Sequence, residues 1–234
     1  MNSKILKTAL VRTIPVMTGY LVLGFGFGIL SEKNGYGILW ALAMSVFIYA
    51  GSMQYVTISL LSSGASLVTA ALTTLMVNAR HLFYGISMIE KYRGIGKKKP
   101  YLIFSLTDET YSLVCGEKEF EEKEQHKYYF MVSLFNQLYW IVGSVAGAWF
   151  GSVATFNTAG IDFAMTALFV TVFVEQWLST KNHMPALIGL GASVVCLVIF
   201  GSDNFLIPAM ILISVLLLVF QKQLDEKAGG SSNE

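Results

Sequence analysis

The sequence predicts an all-α integral membrane protein, built as a bundle of about six to eight membrane segments. Apolar residues make up 54% of the 234 residues, and charged residues only 13%. A soluble domain carries about 25% charged residues, so this chain has too little charge to cover a water-exposed surface of its size. Several stretches also approach the roughly 20 apolar residues that a membrane-spanning helix needs.

Short connections join the apolar segments, and none is long enough to form a separate soluble domain. Residues 1–234 are therefore interpreted as a single transmembrane domain. The predicted apolar segments are 13–30, 38–61, 65–89, 128–150, 162–180, 185–200 and 205–221, with a shorter and more polar segment at 101–115.

Two basic clusters predict the topology. One precedes the first segment, and the other follows the third; their members are Lys4, Lys7 and Arg12, and Lys91, Arg93, Lys97, Lys98 and Lys99. Short basic loops stay in the cytoplasm, so the N-terminus and the second cluster should both be cytoplasmic. Three complete spans would separate them, and one of the first three segments must therefore turn back.

Segment 38–61 is the best candidate for the turn. Gly51 and Ser52 weaken a helix at its middle, and Gln54 is costly at that depth without a partner. We expect two half-helices that meet near Gly51–Gln54 and re-enter on the outer side. The same reasoning favours a re-entrant 101–115, which is short and polar in its middle.

Glycine patterns suggest close packing and an internal repeat. Small residues recur at or near helical spacing in Gly19, Gly24 and Gly28 and again in Gly143, Gly147 and Gly151, which lets helices approach closely.

The first glycine-rich segment resembles the second at an offset of about 121–124 residues, and repeated halves are common in transporters. The sequence thus suggests repeats over 13–115 and 128–221.

Ionisable residues inside membrane segments are functional candidates by default. Arg80 is the only arginine in such a segment, and Asp108 and Glu109 are adjacent acids, so we expect Arg80 to pair with one of them. The alternative for this pair is a purely structural role. Glu175 is a weaker candidate because it lies near the end of its segment. Uncharged polar residues join the candidate set: Gln54, Asn78, Asn136 and Gln137.

The charge, the positions of cysteine and histidine, and the absence of catalytic motifs exclude several classes of function. The net charge of +1 leaves no basic face for nucleic acid. Cys115 and Cys196 lie far apart, and the three histidines are scattered, so no metal site is predicted. Neither a nucleophile elbow nor a phosphate-binding loop is present. We therefore expect neither an enzyme nor an ATPase, and no cofactor; any transport must use a gradient or a separate energising subunit.

Three motifs, in order, carry a resemblance to a known family. Phe47–Tyr55 resembles a Phe-x-x-Ala-Gly-x-x-Gln signature, Val77–Gly85 an Asn-x-Arg-His-x-x-Tyr-Gly signature, and Phe104–Tyr111 a Thr-Asp-Glu signature. Together they resemble the AzlC-type large subunit of the two-component branched-chain amino acid exporters. The resemblance covers about residues 13–115, and the apolar layout of the rest is compatible with it.

The resemblance implies a multi-pass exporter of branched-chain amino acids in the cytoplasmic (inner) membrane. It implies a small hydrophobic partner subunit of AzlD type and energy from the proton gradient. Such a transporter would bind substrate at mid-depth beside broken helices. The expected binding residues are Gly51, Ser52, Gln54, Asn78 and Arg80, and the expected coupling residues are Asp108 and Glu109. These two acids are adjacent on a helix and point in different directions. Asp108 is expected to face the cavity and to carry the coupling proton, and Glu109 is expected to support it, facing a protein partner or the inner interface.

Two other functions remain open at this point. A membrane scaffold or sensor would use the same ionisable residues for folding alone. A passive channel is a further alternative, although one chain shows no ring of like charges.

Overall fold

The computed structural model describes residues 3–116, 120–154, 162–179, 183–201 and 205–229, and this part of the chain is helical without a strand. The prediction of an all-α protein is therefore confirmed. The chain forms two compact units, Met1–Met165 and Thr166–Glu234. The helices are α1 Ser3–Lys33, α2 Ile38–Phe47, α3 Gly51–Ser62, α4 Leu67–Val77, α5 Ala79–Met88, α6 Lys99–Phe104, α7 Asp108–Val114, α8 Glu122–Val153, α9 Asp162–Ser179, α10 Met184–Phe200 and α11 Leu206–Gly229.

Within the described residues, two helices are long and apolar enough to cross a membrane, α1 and α8. Shorter apolar helices include α2, α4 and α10. Large apolar side chains also lie on the surface; Leu67 is 89% exposed and Val198 is 80% exposed. Large apolar side chains exposed in this number fit hydrocarbon better than water.

Helices α1 and α8 run parallel and form the centre of the first unit. Ile5, near the start of α1, packs in one cluster with Tyr128, near the start of α8. Farther along, a Cβ added to Gly143 would lie 2.8 Å from the Leu21 carbonyl oxygen, and one added to Gly147 would overlap the Phe25 backbone. The predicted close approach is confirmed for these glycines. It is wrong for Gly19, beside which nothing lies within 4 Å.

Helices α2 and α3 are two halves of a broken helix, as predicted for segment 38–61. The break covers residues 48–50, just before the expected position. Tyr49 adopts the left-handed conformation (φ 43°), which costs energy for a residue with a side chain. Gly51 then begins α3 against the Trp140 ring, where an added Cβ would lie 3.0 Å from a ring carbon. The contact explains why glycine suits this position.

The α2–α3 pair returns to the end of α1 from which it starts. Helix α2 begins four residues after Asn34, and the last residue of α3, Ser62, donates a hydrogen bond to Asn34 Oδ1 at 3.0 Å. Both ends of the pair therefore lie at the C-terminal end of α1, as a re-entrant pair requires.

Cross-linking should capture this return. In a chain carrying Cys115→Ser and Cys196→Ser, the double variant Asn34→Cys and Ser62→Cys should be joined by a short bifunctional thiol reagent. The control combines Asn34→Cys with native Cys115, which lies beyond the end of α7, and should stay unlinked. Mass spectrometry of the digested protein reads the result. A pair that crossed the bilayer would give no link between positions 34 and 62.

Segment 65–89, predicted as an apolar membrane segment, is also broken. Helix α4 ends and α5 begins at Asn78, whose backbone leaves the helical region (φ −93°, ψ 4°). The Asn78 carbonyl accepts the His81 amide at 2.9 Å. Asparagine favours such caps because its side chain competes with helical hydrogen bonding. The break places Arg80 in the first turn of α5.

Segment 101–115 forms a third broken pair, α6 and α7, separated by residues 105–107. Thr107 caps α7: its hydroxyl oxygen accepts the Thr110 amide at 3.2 Å, the usual role of threonine at a helix start. Leu102 of α6 and Val114 of α7 both pack in the cluster that contains Ile5. This pair therefore starts and ends at the N-terminal end of α1.

The two predicted basic clusters share one end of the first unit. Tyr92, in the loop after α5, packs in the same cluster as Ile5 and Ala9 near the N-terminus. The chain thus passes along α1, turns back in α2–α3, and returns along α4–α5. The positive-inside argument from the sequence required this arrangement.

In the second unit, α10 and α11 pack against each other. Helix α9 is continuous from Asp162 to Ser179. It therefore has no counterpart of the break at residues 48–50, and the internal repeat stays a prediction.

Candidate functional site

Arg80 joins the first turns of three half-helices. Its Nη2 donates to Ser52 Oγ, in the first turn of α3, at 3.2 Å. Its Nη1 lies 2.5 Å from Asp108 Oδ2, at the start of α7. Arg80 itself is the second residue of α5. The N-termini of α3, α5 and α7 therefore meet around one guanidinium group, and helix N-termini carry partial positive charge.

The predicted pairing of Arg80 is confirmed, and its partner is Asp108. The pair is half-buried, with 35% of the Arg80 side chain and 28% of the Asp108 side chain exposed. Arg80 Nε and Asp108 Oδ1 are both buried without a hydrogen-bond partner among the described residues. A donor on the cation and an acceptor on the anion are thus unused.

Glu109 faces away from Arg80 into a hydrogen-bonded network. The buried Tyr20 hydroxyl of α1 donates to Glu109 Oε2 at 2.7 Å and lies 2.7 Å from Thr107 Oγ1. Thr107 Oγ1 donates to Thr110 Oγ1 at 3.1 Å. Asn136 Nδ2 of α8 donates to the same Thr110 oxygen at 2.9 Å. Asp108 and Glu109 therefore take the separate directions expected of adjacent helical residues.

Gln54 and Gln137 join helices. Gln54 is fully buried; its amide nitrogen donates to Ser45 Oγ at 3.2 Å, and its oxygen accepts the Trp140 indole N–H at 2.8 Å. Gln137 accepts the Tyr101 hydroxyl at 2.8 Å and donates to the Val46 carbonyl at 3.3 Å. Both side chains hold the broken pairs α2–α3 and α6–α7 against α8.

The remaining predicted residues fall in three places. Asn78 marks the α4–α5 break, and its buried Oδ1 has no hydrogen-bond partner in the described chain. Gly51 packs on Trp140, beside the site. Glu175 belongs to α9, but its side chain lies outside the described residues.

Tyr20, Tyr49 and Trp140 are site residues that the sequence analysis missed. The buried Tyr49 hydroxyl lies beside Tyr20, Thr110 and Glu109 without a hydrogen bond of good geometry to any of them. The Tyr20 and Trp140 rings contact edge to face, with centroids 5.5 Å apart. Aromatic residues are so common in this sequence that only the strained backbone of Tyr49, visible in the structure, singles one out.

An aromatic wall lies beside the ion pair. Tyr84, near Arg80 and Asp108, stacks on Tyr111 with ring centroids 4.7 Å apart. Within the described ranges no group of three His, Cys, Asp or Glu side chains could hold a metal ion. The site therefore offers a cation, two carboxylates, three helix N-termini and an apolar face.

Broken helices that enter from opposite ends of a bundle and meet near its middle are the architecture of secondary transporters. Tyr20, near the middle of α1, contacts the break between α6 and α7. Trp140 contacts the start of α3 and packs beside Gly24, one turn farther along α1. The two breaks therefore lie at nearly the same level of the bundle. The class that fold and site define is thus a helical bundle of transporter type. Residues 15–154 match the family model described as AzlC protein, and the chain belongs to the AzlC family.

Similar proteins cover most of the chain. It is 46% identical over 220 residues to the branched-chain amino acid transport protein AzlC of Bacillus subtilis, covering 94% of this chain and 87% of that protein. It is 42% identical to an uncharacterized membrane protein of Helicobacter pylori, covering 95% and 97%. It is 27% identical to the inner membrane protein YgaZ of Escherichia coli, covering 87% and 83%. No solved structure matches the chain.

Proposed function

We propose that this protein is a secondary transporter that exports branched-chain amino acids across the cytoplasmic membrane, with its N-terminus in the cytoplasm. It uses the proton gradient and works with a small hydrophobic partner subunit. The name of the Bacillus subtilis relative supports the substrate class, and the AzlC-type pattern supports the partner. The shared end of the two basic clusters supports the orientation.

The observation that carries the proposal is the unused donor and acceptor of the Arg80–Asp108 pair. A zwitterionic amino acid presents one carboxylate and one ammonium a few ångströms apart. Arg80 Nε, with the helix N-termini of α3 and α5, favours the carboxylate. Asp108 Oδ1 accepts from the ammonium. The Tyr84–Tyr111 wall then offers an apolar contact to an aliphatic side chain.

Glu109 takes the coupling proton. It adjoins the substrate site through Asp108 but is held by Tyr20, away from Arg80. The substrate ammonium at Asp108 and a proton on the adjacent Glu109 both place positive charge in the same region, while the substrate carboxylate lies on the other side, at Arg80. Each therefore opposes the other, which is the requirement for exchange of an amino acid against a proton.

Two neutral variants separate these roles. In vesicles, Glu109→Gln should abolish proton-driven transport. It should still exchange labelled for unlabelled leucine across the membrane when both sides contain leucine. Asp108→Asn should lose at least tenfold in both, because it removes the ammonium acceptor. The assay is run with and without the small subunit, and Glu121→Gln, an exposed carboxylate variant, is the control.

The opposite pattern would reassign the acids. If Asp108→Asn keeps exchange and loses only proton-driven transport, Asp108 couples and Glu109 supports it. If both variants pump at the parent rate, neither acid has the proposed role. If the parent chain, with its partner, moves no amino acid at all, the transporter proposal fails.

A further inference from the structure

A row of buried polar side chains lies on the inward face of α8. Tyr129 is 1% exposed, and Ser133 and Asn136 are completely buried. Ser133 Oγ and Asn136 Oδ1 each lack a hydrogen-bond partner among the described residues, and the Tyr129 hydroxyl lies beside Gln125 without a hydrogen bond of good geometry. Positions 129, 133 and 136 are four and three residues apart, so they share one face of the helix.

Such atoms are rarely left without partners in a folded protein. More than nine in ten buried polar groups are hydrogen-bonded to protein or to ordered water. A single such group has many explanations, but for three in a row along one helix face the common explanation is bound water. Helical rise separates 129 from 133 by about 6 Å and 133 from 136 by about 4.5 Å. These separations along the helix axis are longer than the roughly 2.8 Å between hydrogen-bonded oxygens, and no direct hydrogen bond joins the three groups among the described residues. Water molecules would have to link them.

The lower end of this row opens into a cavity at the N-terminal end of α1. The cavity has a volume of about 160 Å³, and Tyr129 lines it together with Gln125, Glu122 and His126. A water occupies about 30 Å³ of liquid, so the cavity has room for several. Glu90, Lys91 and Arg93 also border it, which makes it a polar and hydrated entrance.

The upper end of the row reaches Glu109. Asn136 donates to Thr110, Thr110 accepts from Thr107, and the Thr107 hydroxyl lies 2.7 Å from that of Tyr20, which donates to Glu109. Hydroxyl groups accept one proton and release another, whereas the Asn136 amide nitrogen only donates. The relay from Glu109 would therefore run through the hydroxyls of Tyr20, Thr107 and Thr110, and Thr110 would pass the proton to a water held at Asn136 Oδ1. The row therefore connects a surface cavity with the carboxylate that the proposed function assigns to coupling.

We propose that Tyr129, Ser133 and Asn136 bind a file of water molecules that conducts protons between Glu109 and the cavity at the N-terminal end of α1. The inference rests on the proposed function, because it assigns a route to the proton that Glu109 carries. In the export direction, Glu109 receives its proton from the outer side and releases it through the file into the cytoplasm. One proton leaves for each one bound, so charge and mass balance.

Other titratable groups surround each end of the route. Asp108, Arg80, Tyr20 and Tyr49 face or adjoin Glu109. His126, Glu122 and Glu90 border the entrance, beside Lys91 and Arg93. Tyr92 packs against the Tyr129 ring with centroids 5.8 Å apart, and its buried hydroxyl also lacks a hydrogen-bond partner among the described residues. Ser133 and Asn136, which continue the row toward Glu109, are neutral. The middle of the file is therefore the position to block.

A matched pair at Ser133 tests the file. Ser133→Val and Ser133→Thr have nearly the same shape, and only threonine keeps the hydroxyl. In vesicles, Ser133→Val should reduce leucine-driven proton flux, followed with an internal pH dye, at least tenfold relative to Ser133→Thr. Exchange of labelled leucine, which needs no net proton movement, should be equal in the two variants. Thermal unfolding verifies that both fold alike.

Equal proton flux in the folded valine and threonine variants would overturn the file. Parallel loss of flux and exchange in the valine variant would also overturn it, since Ser133 would then serve the conformational cycle. A parent protein without leucine-driven flux would instead refute the coupling part of the proposed function.

Hydroxyl-radical labelling by X-ray pulses tests the hydration independently of transport. Radicals form from bound water, so Tyr129 should be oxidised severalfold faster than Tyr55. Both tyrosines are 1% exposed, but the Tyr55 hydroxyl is hydrogen-bonded to the Leu23 carbonyl at 2.7 Å. Equal, slow oxidation of the two would mean that the file has no hydrated entrance.

Discussion

Arg80→Ala should abolish leucine transport and lower the free energy of unfolding. The variant leaves Asp108 half-buried without its cation and frees Ser52 of α3. Breaking a fully buried pair costs about 3–5 kcal/mol, and an exposed pair about 0–1 kcal/mol. Because about a third of each side chain is exposed, we expect a cost between these ranges. Transport in vesicles and thermal unfolding in detergent measure the two effects.

The conservative variant Arg80→Lys should restore stability in part and transport poorly. Arginine uses Nη1 for Asp108 and Nη2 for Ser52, whereas a lysine ammonium is a single point charge without the planar fork. The matched stability control is Arg93→Ala, which breaks the exposed pair with Glu90 and should change the unfolding free energy by at most about 1 kcal/mol. Parent-like transport by Arg80→Ala would remove Arg80 from the site.

Gly147→Ala and Gly28→Ala should each destabilise the protein, although alanine normally favours a helix. An added Cβ on Gly147 would overlap the Phe25 carbonyl, and one on Gly28 would overlap the Ser144 carbonyl. Backbone atoms of a packed helix cannot move aside as a flexible side chain does. Overpacking costs about 1–3 kcal/mol, and we expect the upper part of this range or more because α1 and α8 must separate.

The matched control is Gly19→Ala on α1, beside which nothing lies within 4 Å. At this position the alanine variant should have a free energy of unfolding about 0.5–1 kcal/mol higher, because alanine reduces the backbone entropy of the unfolded chain. The two kinds of variant should therefore shift the unfolding midpoint in opposite directions, measured by thermal unfolding and by the yield of monodisperse protein. A Gly147→Ala variant as stable as Gly19→Ala would show that α1 and α8 do not pack through these glycines.

The breaks in the helices were partly predictable from local chemistry. Gly51, Ser52 and Gln54 weaken a membrane helix at its middle, and the structure breaks α2 from α3 beside them. Asn78 lies in an otherwise apolar run, and its presence there did not by itself predict a break. An asparagine in such a run is accommodated by a kink, a break or a partner, and only neighbouring helices determine which.

The sequence predicted the charged residues of the site, but not which acid pairs with Arg80. Because Arg80 is the only arginine in a membrane segment, electrostatics alone required an acid beside it. The choice of Asp108 over Glu109 depends on the rotation of α7 about its axis. That rotation follows from the Thr107 cap and from Tyr20 of α1, which lies 89 residues before Glu109 and holds it.

The amino-acid sequence was enough to predict an all-helical apolar chain, the re-entrant second segment, the shared end of the two basic clusters and the family to which the chain belongs. These follow from composition, charge bias and motifs, which are local properties. Only the tertiary structure determined that three half-helix N-termini meet at Arg80, that Gln54 and Gln137 join helices, and that unpartnered polar atoms line α8. Those features depend on long-range contacts: α1 and α8 pack in parallel at glycine contact, and the broken helices are hydrogen-bonded to this pair through Tyr20, Asn136 and Trp140.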